Sequence, residues 1–177
     1  MSEIISEQEF LELYDAYVGK IYRYIYFRVG AEEVAQDLTS DVFLKSWEWL
    51  NDAEKRANKS FENPRAFFYQ VARNLVADFY RQKDRAPISF DEIADKSVVD
   101  KKAGPLEEAI KINEMDDVKK ALQRINDDYR EVIIWRYLDE MEIKEIAQIL
   151  EKSEGAVRVL LSRALANLKE ALSKKKK

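Results

Sequence analysis

The most regular hydrophobic pattern in the chain lies between residues 142 and 172 and predicts two amphipathic helices. In both helices the apolar residues recur every three to four positions, so that they share one face. The break between the helices spans about four residues, as in a helix-turn-helix, and Ser153 is a good N-cap for the second helix. The apolar positions are Ile143, Ile146, Ala147 and Leu150 in the first helix and Val157, Leu160, Leu161, Ala164, Leu165, Leu168 and Leu172 in the second.

The outer face of that second helix carries cations and a hydroxyl group. Arg158, Ser162, Arg163 and Lys169 all lie off its apolar face. A helix with one buried face and a cationic, hydrogen-bonding outer face can lie in the major groove of DNA. Two amphipathic helices with a short turn also occur in many bundles that bind no DNA. These helices alone therefore leave both interpretations open.

Residues 6 to 29 and 31 to 50 predict the first two helices of the chain. Ser6 and Glu9 match the pattern of a capping box, and Gly30 indicates the end of the first helix. Core packing explains the tyrosines of the first helix better than a base-stacking surface does, because they recur at helical spacing. The apolar positions are Phe10, Leu13, Tyr14, Tyr17, Ile21, Tyr24 and Ile25 in the first helix and Val34, Leu38, Val42, Phe43 and Trp47 in the second.

The second helix has an acidic side, formed by Glu33, Asp37, Asp41 and Glu48. An acidic helix face is usually only solvated. It repels DNA, however, so a DNA-binding domain that contains this helix is expected to turn it towards a different partner.

A third helix is predicted from Pro64 to about Lys83, after a polar loop that ends near Phe61. Asn63 is its expected N-cap, and proline suits the first helical position. Its apolar face consists of Phe68, Val71, Ala72, Leu75 and Phe79, and its other positions include Arg65, Arg73, Asn74, Tyr80, Arg81, Lys83 and Arg85, offset by Asp78 and Asp84. Cations beside an amide and aromatic rings suit single-stranded nucleic acid. On this helix alone, an ordinary solvated surface with a basic end is slightly favoured.

Residues 86 to 113 lose the helical periodicity, and Pro87 and Gly104-Pro105 interrupt them. Two more helices are expected before the helix-turn-helix, marked by Val118, Leu122 and Ile125 and then by Val132, Ile133, Trp135, Tyr137 and Leu138. The predicted fold is therefore all-α, with two small helical domains, 1–85 and 114–177, joined by a flexible linker, 86–113.

Composition narrows the possible functions. The net charge is -4, so DNA binding has to depend on local patches. Cys and His are both absent, which removes disulfides, thiolate metal sites and the usual general base. No apolar segment resembles a signal peptide or a bilayer span, so a cytoplasmic protein without membrane insertion is expected. Without a Gly-rich phosphate loop or a nucleophile paired with a base, neither enzyme activity nor a cofactor is expected.

Three segments together resemble the extracytoplasmic-function (ECF) sigma factors of bacteria. Residues 37–47 are similar to region 2.2 of that family, residues 66–78 to the helix of regions 2.3 to 2.4, and residues 122–172 to region 4. The last segment includes Tyr129-Arg130-Glu131-Val132, Ile146-Ala147 and Glu154-Gly155-Ala156-Val157-Arg158. Three motifs in the family's order and spacing are more specific than any one of them.

The resemblance implies a dissociable subunit of bacterial RNA polymerase that selects promoters. In the family, the second helix docks on the clamp coiled coil of the β′ subunit of core RNA polymerase. An anti-sigma factor is a further expected partner, because most relatives have one. The positions that match the polymerase-binding surface are Asp37, Leu38, Asp41, Phe43 and Trp47.

The resemblance also implies two kinds of contact with promoter DNA. The family reads the -10 element as a single strand with one base flipped from the stack, and extruding a base costs a few kcal/mol. It reads the -35 element in the duplex major groove, where Val159 offers an apolar contact to a thymine methyl group. The matching positions are Phe61, Arg73, Asn74, Asp78 and Arg81 for the -10 element, and Arg158, Val159, Ser162 and Arg163 for the -35 element.

The chain departs from the family pattern in region 4. Glu151 stands where the turn commonly has Gly, and a left-handed residue there costs roughly 1 kcal/mol more without Gly. Ala156, Val159 and Leu160 stand where the family often has Thr, Ser and Arg. Fewer polar contacts with the -35 element are therefore expected.

Two other classes of protein remain as alternatives. A free-standing helix-turn-helix regulator would need a dimer interface and a palindromic site. It would leave the acidic helix and the surroundings of Asn74 unexplained, and a strong symmetric footprint without polymerase would favour it. A purely inhibitory polymerase-binding protein would keep its function after Arg158→Ala and Arg163→Ala.

Overall fold

The computed structural model describes residues 5–57, 61–85 and 112–174, and the regular structure in these ranges is entirely helical. The chain divides into two compact units, one formed mainly by the chain up to Asp95 and the other mainly by the chain from Lys96 onwards. Most of the predicted linker lies outside the described residues. In the part of the chain that is described, no helix is long and apolar enough to cross a membrane.

The N-terminal unit contains four helices: α1 (Glu7–Val29), α2 (Glu32–Asn51), the short α3 (Ala53–Ala57) and α4 (Pro64–Arg85). The three long helices agree with the predicted segments to within two residues at each end. Helix α3 was not predicted. It lies in the polar segment that sequence analysis assigned to a loop, and Asp52 caps it by accepting hydrogen bonds from the backbone N–H groups of Glu54 and Lys55.

Local capping groups fix both ends of α1. The Ser6 hydroxyl accepts from the Glu9 backbone N–H at 3.2 Å, and the Glu9 carboxylate accepts from the Ser6 N–H at 2.8 Å, which confirms the capping box. The Ser6 N–H and then its hydroxyl lower the pKa of Glu9. Because the pKa of Glu9 is lower in the folded than in the unfolded chain, the capping box contributes stability at pH values above the unfolded pKa. This contribution is lost as the pH falls through the folded pKa. At the other end, Gly30 adopts φ 72° and donates to the Tyr26 carbonyl.

The core of the N-terminal unit forms where α1, α2 and α4 meet around Phe68. This side chain is fully buried. Its ring centroid lies between 5.1 and 6.4 Å from those of Phe10, Tyr17, Phe43, Phe61 and Phe67. Tyr17 is therefore a packed residue, as its spacing predicted, whereas Tyr14, which was also predicted on the buried face, is 38% exposed.

The buried face of α2 differs from the predicted one. The buried residues are Ala35, Thr39, Val42, Phe43, Ser46 and Leu50, whereas the predicted Val34, Leu38 and Trp47 are only half-buried. The hydroxyls of Thr39 and Ser46 each donate at 2.6 Å to the carbonyl four residues earlier. Because these hydroxyls are satisfied within the helix, burying them costs little, and the helix turns towards the core on a side that sequence polarity does not indicate.

The C-terminal unit contains α5 (Ile112–Arg124), α6 (Asp127–Ile133), one turn of π-helix (Ile134–Leu138), α7 (Ile143–Leu150) and α8 (Glu154–Ser173). The buried Arg130 joins α5 to α6. Its guanidinium donates to the carbonyls of Leu122, Gln123 and Ile125 at 2.7 to 3.3 Å and pairs with Asp127. Carbonyls at a helix C-terminus lack hydrogen-bond donors within the helix, and the Arg130 guanidinium supplies donors for three carbonyls at the end of α5.

The predicted helix-turn-helix is present as α7 and α8. Ser153 caps α8 by accepting from the Ala156 N–H at 3.1 Å, as predicted. Helix α8 buries Val157, Leu161 and Ala164, but Leu165 is 38% exposed, so the prediction that Leu165 belongs to the buried face was wrong. The turn begins at Glu151, which has φ 55°, and the Lys152 N–H donates to the Ala147 carbonyl at 3.0 Å. These are the features of a left-handed helix C-cap with a non-glycine residue.

Replacing Glu151 by glycine is expected to stabilise the C-terminal unit by about 0.5–1 kcal/mol, because a left-handed conformation strains every residue that has a Cβ. Thermal unfolding of the full chain measures this change. Ala166→Gly, in the exposed middle of α8, is the matched control and should instead destabilise by about 1 kcal/mol. A loss of stability in Glu151→Gly would contradict the strain at this turn.

Candidate nucleic-acid and partner-binding surfaces

The outward side of α2 carries a stripe of acidic residues with one apolar residue between them. Asp37, Asp41, Leu44 and Glu48 follow one another at intervals of three or four residues and are all exposed. Leu44 is 56% exposed although it is fully apolar. The three acidic residues were recognisable from the sequence as one face of the helix, but the exposure of Leu44 was not predicted. The sequence did contain an indication, because Leu44 is apolar, follows Asp41 by three positions and lies outside the apolar repeat of the helix.

The other residues predicted to bind polymerase do not share this exposure. Leu38 is half-buried, and Trp47 is half-buried with its ring 4.9 Å from that of Phe10. Phe43 is only 4% exposed, and its ring lies 4.8 Å from Tyr14. The prediction that Phe43 contacts a partner directly needs correction, because its side chain fills the core of the bundle.

A groove of about 310 Å³ lies between α2 and α4. Its residues on α4 recur at helical spacing, so one continuous face of that helix forms one wall. Lys45 and Trp49, one turn apart on α2, form the other wall. The remaining lining residues are Phe67, Gln70, Val71, Asn74, Leu75 and Asp78.

The groove combines one accessible aromatic ring with polar groups, since Trp49 is half-buried whereas Phe67 is only 8% exposed. The Trp49 and Phe67 rings lie 4.8 Å apart at an angle of 43°. Asn74 is exposed, and the carboxylate of Asp78 accepts a hydrogen bond from Arg81. Asn74 and Asp78 were predicted from the sequence, but Lys45 and Trp49 were not, because a groove between two helices depends on how the helices pack.

Three residues predicted to contact the -10 strand do not line this groove. Phe61 is half-buried with its ring 5.1 Å from that of Phe67, so it supports a residue of the groove. Arg73 is half-buried beside Asn74 on α4, and the exposed Arg81 reaches the groove through its contact with Asp78. The five predicted residues are therefore not gathered into one pocket.

The outer face of α8 carries the residues predicted to bind duplex DNA. Arg158, Val159, Ser162 and Arg163 are all exposed, on the opposite side from the buried residues of that helix, and Val159 is 50% exposed. The Arg158 guanidinium lies 3.2 Å from the carboxylate of Glu154. This acidic neighbour offsets part of the positive charge on the face, and sequence analysis did not anticipate the pair.

Comparison with known proteins assigns both units to one family. The family model for sigma-70 region 2 matches residues 13–86, and the model for sigma-70 region 4 matches residues 115–168. The two units therefore define a sigma-70-type sigma factor, a protein class that acts in the initiation of transcription.

The relatives narrow the class further. The chain is 31% identical over 164 residues to the ECF RNA polymerase sigma factor BldN of Streptomyces coelicolor, covering 92% of this chain and 60% of that protein. It is 24% identical over 173 residues to the ECF RNA polymerase sigma factor SigW of Bacillus subtilis, covering 94% of this chain and 90% of that one. The chain belongs to the ECF sigma factors.

Two solved structures share the fold. The first is CnrH in complex with the cytosolic domain of CnrY, with a TM-score of 0.66 and 21% identity over 96% of this chain and 90% of that one. The second is the sigma factor RpoE in complex with the anti-sigma factor NepR from Bartonella quintana, with a TM-score of 0.66 and 22% identity over 94% and 96%. At these identities the likeness concerns the fold.

Proposed function

We propose that the chain binds core RNA polymerase and directs it to promoters through three separate surfaces. One holds the polymerase, one captures a base of the melted -10 strand, and one holds the -35 duplex. Each contact can be weak, because connecting the two units raises the effective concentration of the second contact once the first has formed. The observation that carries this proposal is that Asp37 and Asn74 are both exposed within one small bundle that matches sigma-70 region 2.

The acidic stripe of α2, Asp37, Asp41, Leu44 and Glu48, is the proposed polymerase-binding surface. Its charge disfavours DNA and favours a basic partner. Leu44 supplies an apolar contact in the middle of the stripe, and interface energy tends to concentrate in central residues that become fully desolvated. Trp47, half-buried beside it, extends the apolar area, whereas Phe43 supports the surface from inside the bundle.

The groove between α2 and α4 is the proposed site for an unpaired base. Aromatic rings stack on bases irrespective of sequence, and this contribution is worth about 1–3 kcal/mol per base. The amide of Asn74 adds both a donor and an acceptor for the base edge. These contacts offset the few kcal/mol that removing a base from the stack costs.

The outer face of α8 is the proposed reader of the -35 duplex. Its two arginines and one serine can bind phosphates and base edges, and Val159 can contact a thymine methyl group. An anti-sigma partner is also proposed, because both structural relatives were solved with partners and one of these is named an anti-sigma factor. Such a partner would compete with core polymerase for the α2 stripe.

Reconstitution with core RNA polymerase tests the proposal as a whole. The purified chain, added to core enzyme and a library of promoter fragments, is expected to produce transcripts that begin at defined sites. Core enzyme alone is the control. Failure of the chain to associate with core enzyme would exclude the proposed function, and sequencing of the transcripts would give the promoter.

Replacing Asn74 by alanine is expected to reduce promoter opening by about 10-fold while leaving polymerase binding unchanged, because the variant loses hydrogen bonds to the unpaired base. Permanganate reactivity of thymines in the melted region measures opening, and fluorescence anisotropy measures polymerase binding. Gln82→Ala is the matched control, since Gln82 is an exposed amide of α4 outside the groove. Equal loss of opening and polymerase binding in Asn74→Ala would contradict the assignment.

A further inference from the structure

The groove between α2 and α4 carries charged groups of both signs. Lys45 and Asp78 both line it, so the charges of the lining side chains cancel. A site for a phosphate would be expected to be positive throughout, whereas a carboxylate in a DNA-binding surface repels the backbone. The groove therefore suits the uncharged edge of a base. Its volume of about 310 Å³ lies at the lower limit for small-molecule sites and can accommodate a single base.

The carboxylate of Asp78 restricts which base can bind. An ionised carboxylate only accepts hydrogen bonds, and it can accept two in parallel. Guanine presents two adjacent donors on one edge, its N1–H and its 2-amino group. Adenine and cytosine place an acceptor next to their amino group, and thymine flanks its single N–H with two carbonyls. Guanine alone among the four bases can donate to both oxygens of Asp78 at once.

Asn74 completes the match. It lies one helical turn before Asp78 on the same wall of the groove, which places the two Cβ atoms about 5–6 Å apart. A single purine edge can bridge that distance. When guanine donates its N1–H and 2-amino group to the Asp78 carboxylate, its O6 can accept from the Asn74 amide. The Trp49 ring offers a surface on which the base can stack.

We propose that this groove selects guanine in the melted strand, with Asp78 as the residue that determines specificity. The inference rests on the proposed function and names the base that the same site takes. Arg81 acts as a positioning residue, because its guanidinium donates to Asp78 and holds the carboxylate. The pair also reduces the repulsion between Asp78 and the phosphates of the bound strand.

Replacing guanine by hypoxanthine tests the proposal, since the two bases differ only in the 2-amino group. The probes are fork-junction DNAs with an unpaired -10 strand, in which each guanine is replaced in turn, and the holoenzyme is titrated against each probe. At one position the wild-type holoenzyme is expected to bind the hypoxanthine probe about 10-fold more weakly, as loss of a hydrogen bond to a charged group predicts. Adenine, cytosine and thymine at that position should bind at least as weakly.

The variant Asp78→Asn distinguishes recognition by Asp78 from a general effect of the altered base. It exchanges an acceptor for a donor at nearly constant shape, so the ratio between guanine and hypoxanthine should fall to within about 3-fold. Asp84→Asn makes the same charge change on an exposed residue of α4 outside the groove and should retain the 10-fold ratio.

The outcomes separate this inference from the proposed function. If the holoenzyme forms and transcribes but no guanine is sensitive to hypoxanthine, guanine selection is wrong and the sigma-factor function stands. The same conclusion follows if a sensitive guanine keeps its 10-fold ratio in Asp78→Asn. If the chain does not bind core polymerase, the proposed function itself fails.

Discussion

Replacing Asp37 and Asp41 together by lysine is expected to weaken binding to core RNA polymerase by about 100-fold. Both carboxylates are exposed on the same stripe of α2, one turn apart, so reversing them changes the sign of the charge that a partner meets. Like charges that face each other across an interface cost several kcal/mol, and each 1.4 kcal/mol corresponds to a 10-fold change. Anisotropy of a labelled chain titrated with core enzyme, in the absence of DNA, measures the change.

A second charge reversal in the same unit provides the control. Glu12→Lys with Glu62→Lys changes the net charge by the same amount at exposed positions outside the stripe, and polymerase binding should remain within about 2-fold of wild type. The loss in the α2 variant should also shrink at high salt, because surface electrostatics are screened. Equal weakening by both double variants would indicate a dependence on net charge and would contradict a localised polymerase-binding surface on α2.

Replacing Phe68 by alanine is expected to lower the free energy of unfolding of the N-terminal unit by about 3–5 kcal/mol. Phe68 is fully buried where α1, α2 and α4 meet, and its ring packs against Phe10 and Phe43. Removing the ring loses the free energy of transferring it from water to the core. It also leaves a cavity that the three surrounding helices can fill only partially by relaxing. Because small domains are marginally stable, the loss is comparable with the whole stability of such a unit.

Urea unfolding followed by tryptophan fluorescence measures this change, since Trp47 and Trp49 both pack against aromatic residues of the same bundle. Phe68→Leu retains most of the buried volume and should cost less than half as much. The C-terminal unit contains Trp135, so substitution of that residue by phenylalanine in both variants would isolate the N-terminal signal. A loss below about 1 kcal/mol in Phe68→Ala would show that the bundle does not depend on this residue.

The starts and ends of helices were predictable because they depend on residues close together in the sequence. Ser6 with Glu9, Asn63 before Pro64, and Ser153 each form the predicted capping contacts with backbone groups three residues away. The left-handed conformation of Glu151 is also local, since only three residues separate the end of α7 at Leu150 from the start of α8 at Glu154. The family resemblance, carried by motifs within single helices, was predictable for the same reason.

Only the tertiary structure decided which side of each helix is buried and what the helices form between them. Periodicity placed Phe43 on the buried face of α2 and left Leu44 outside it, but it did not show that Thr39 and Ser46 are buried while Leu38 and Trp47 are only half-buried. The buried face includes these polar residues because their hydroxyls are satisfied on the backbone of the same helix. The groove that joins Asn74 to Lys45 and Trp49 depends on the packing of α2 against α4.

The sequence by itself determined the helices, because their ends depend on local contacts, and the family, because its motifs lie within single helices. The composition of each surface depends on the rotation of one helix against another, which is set by the packing of side chains far apart in the chain.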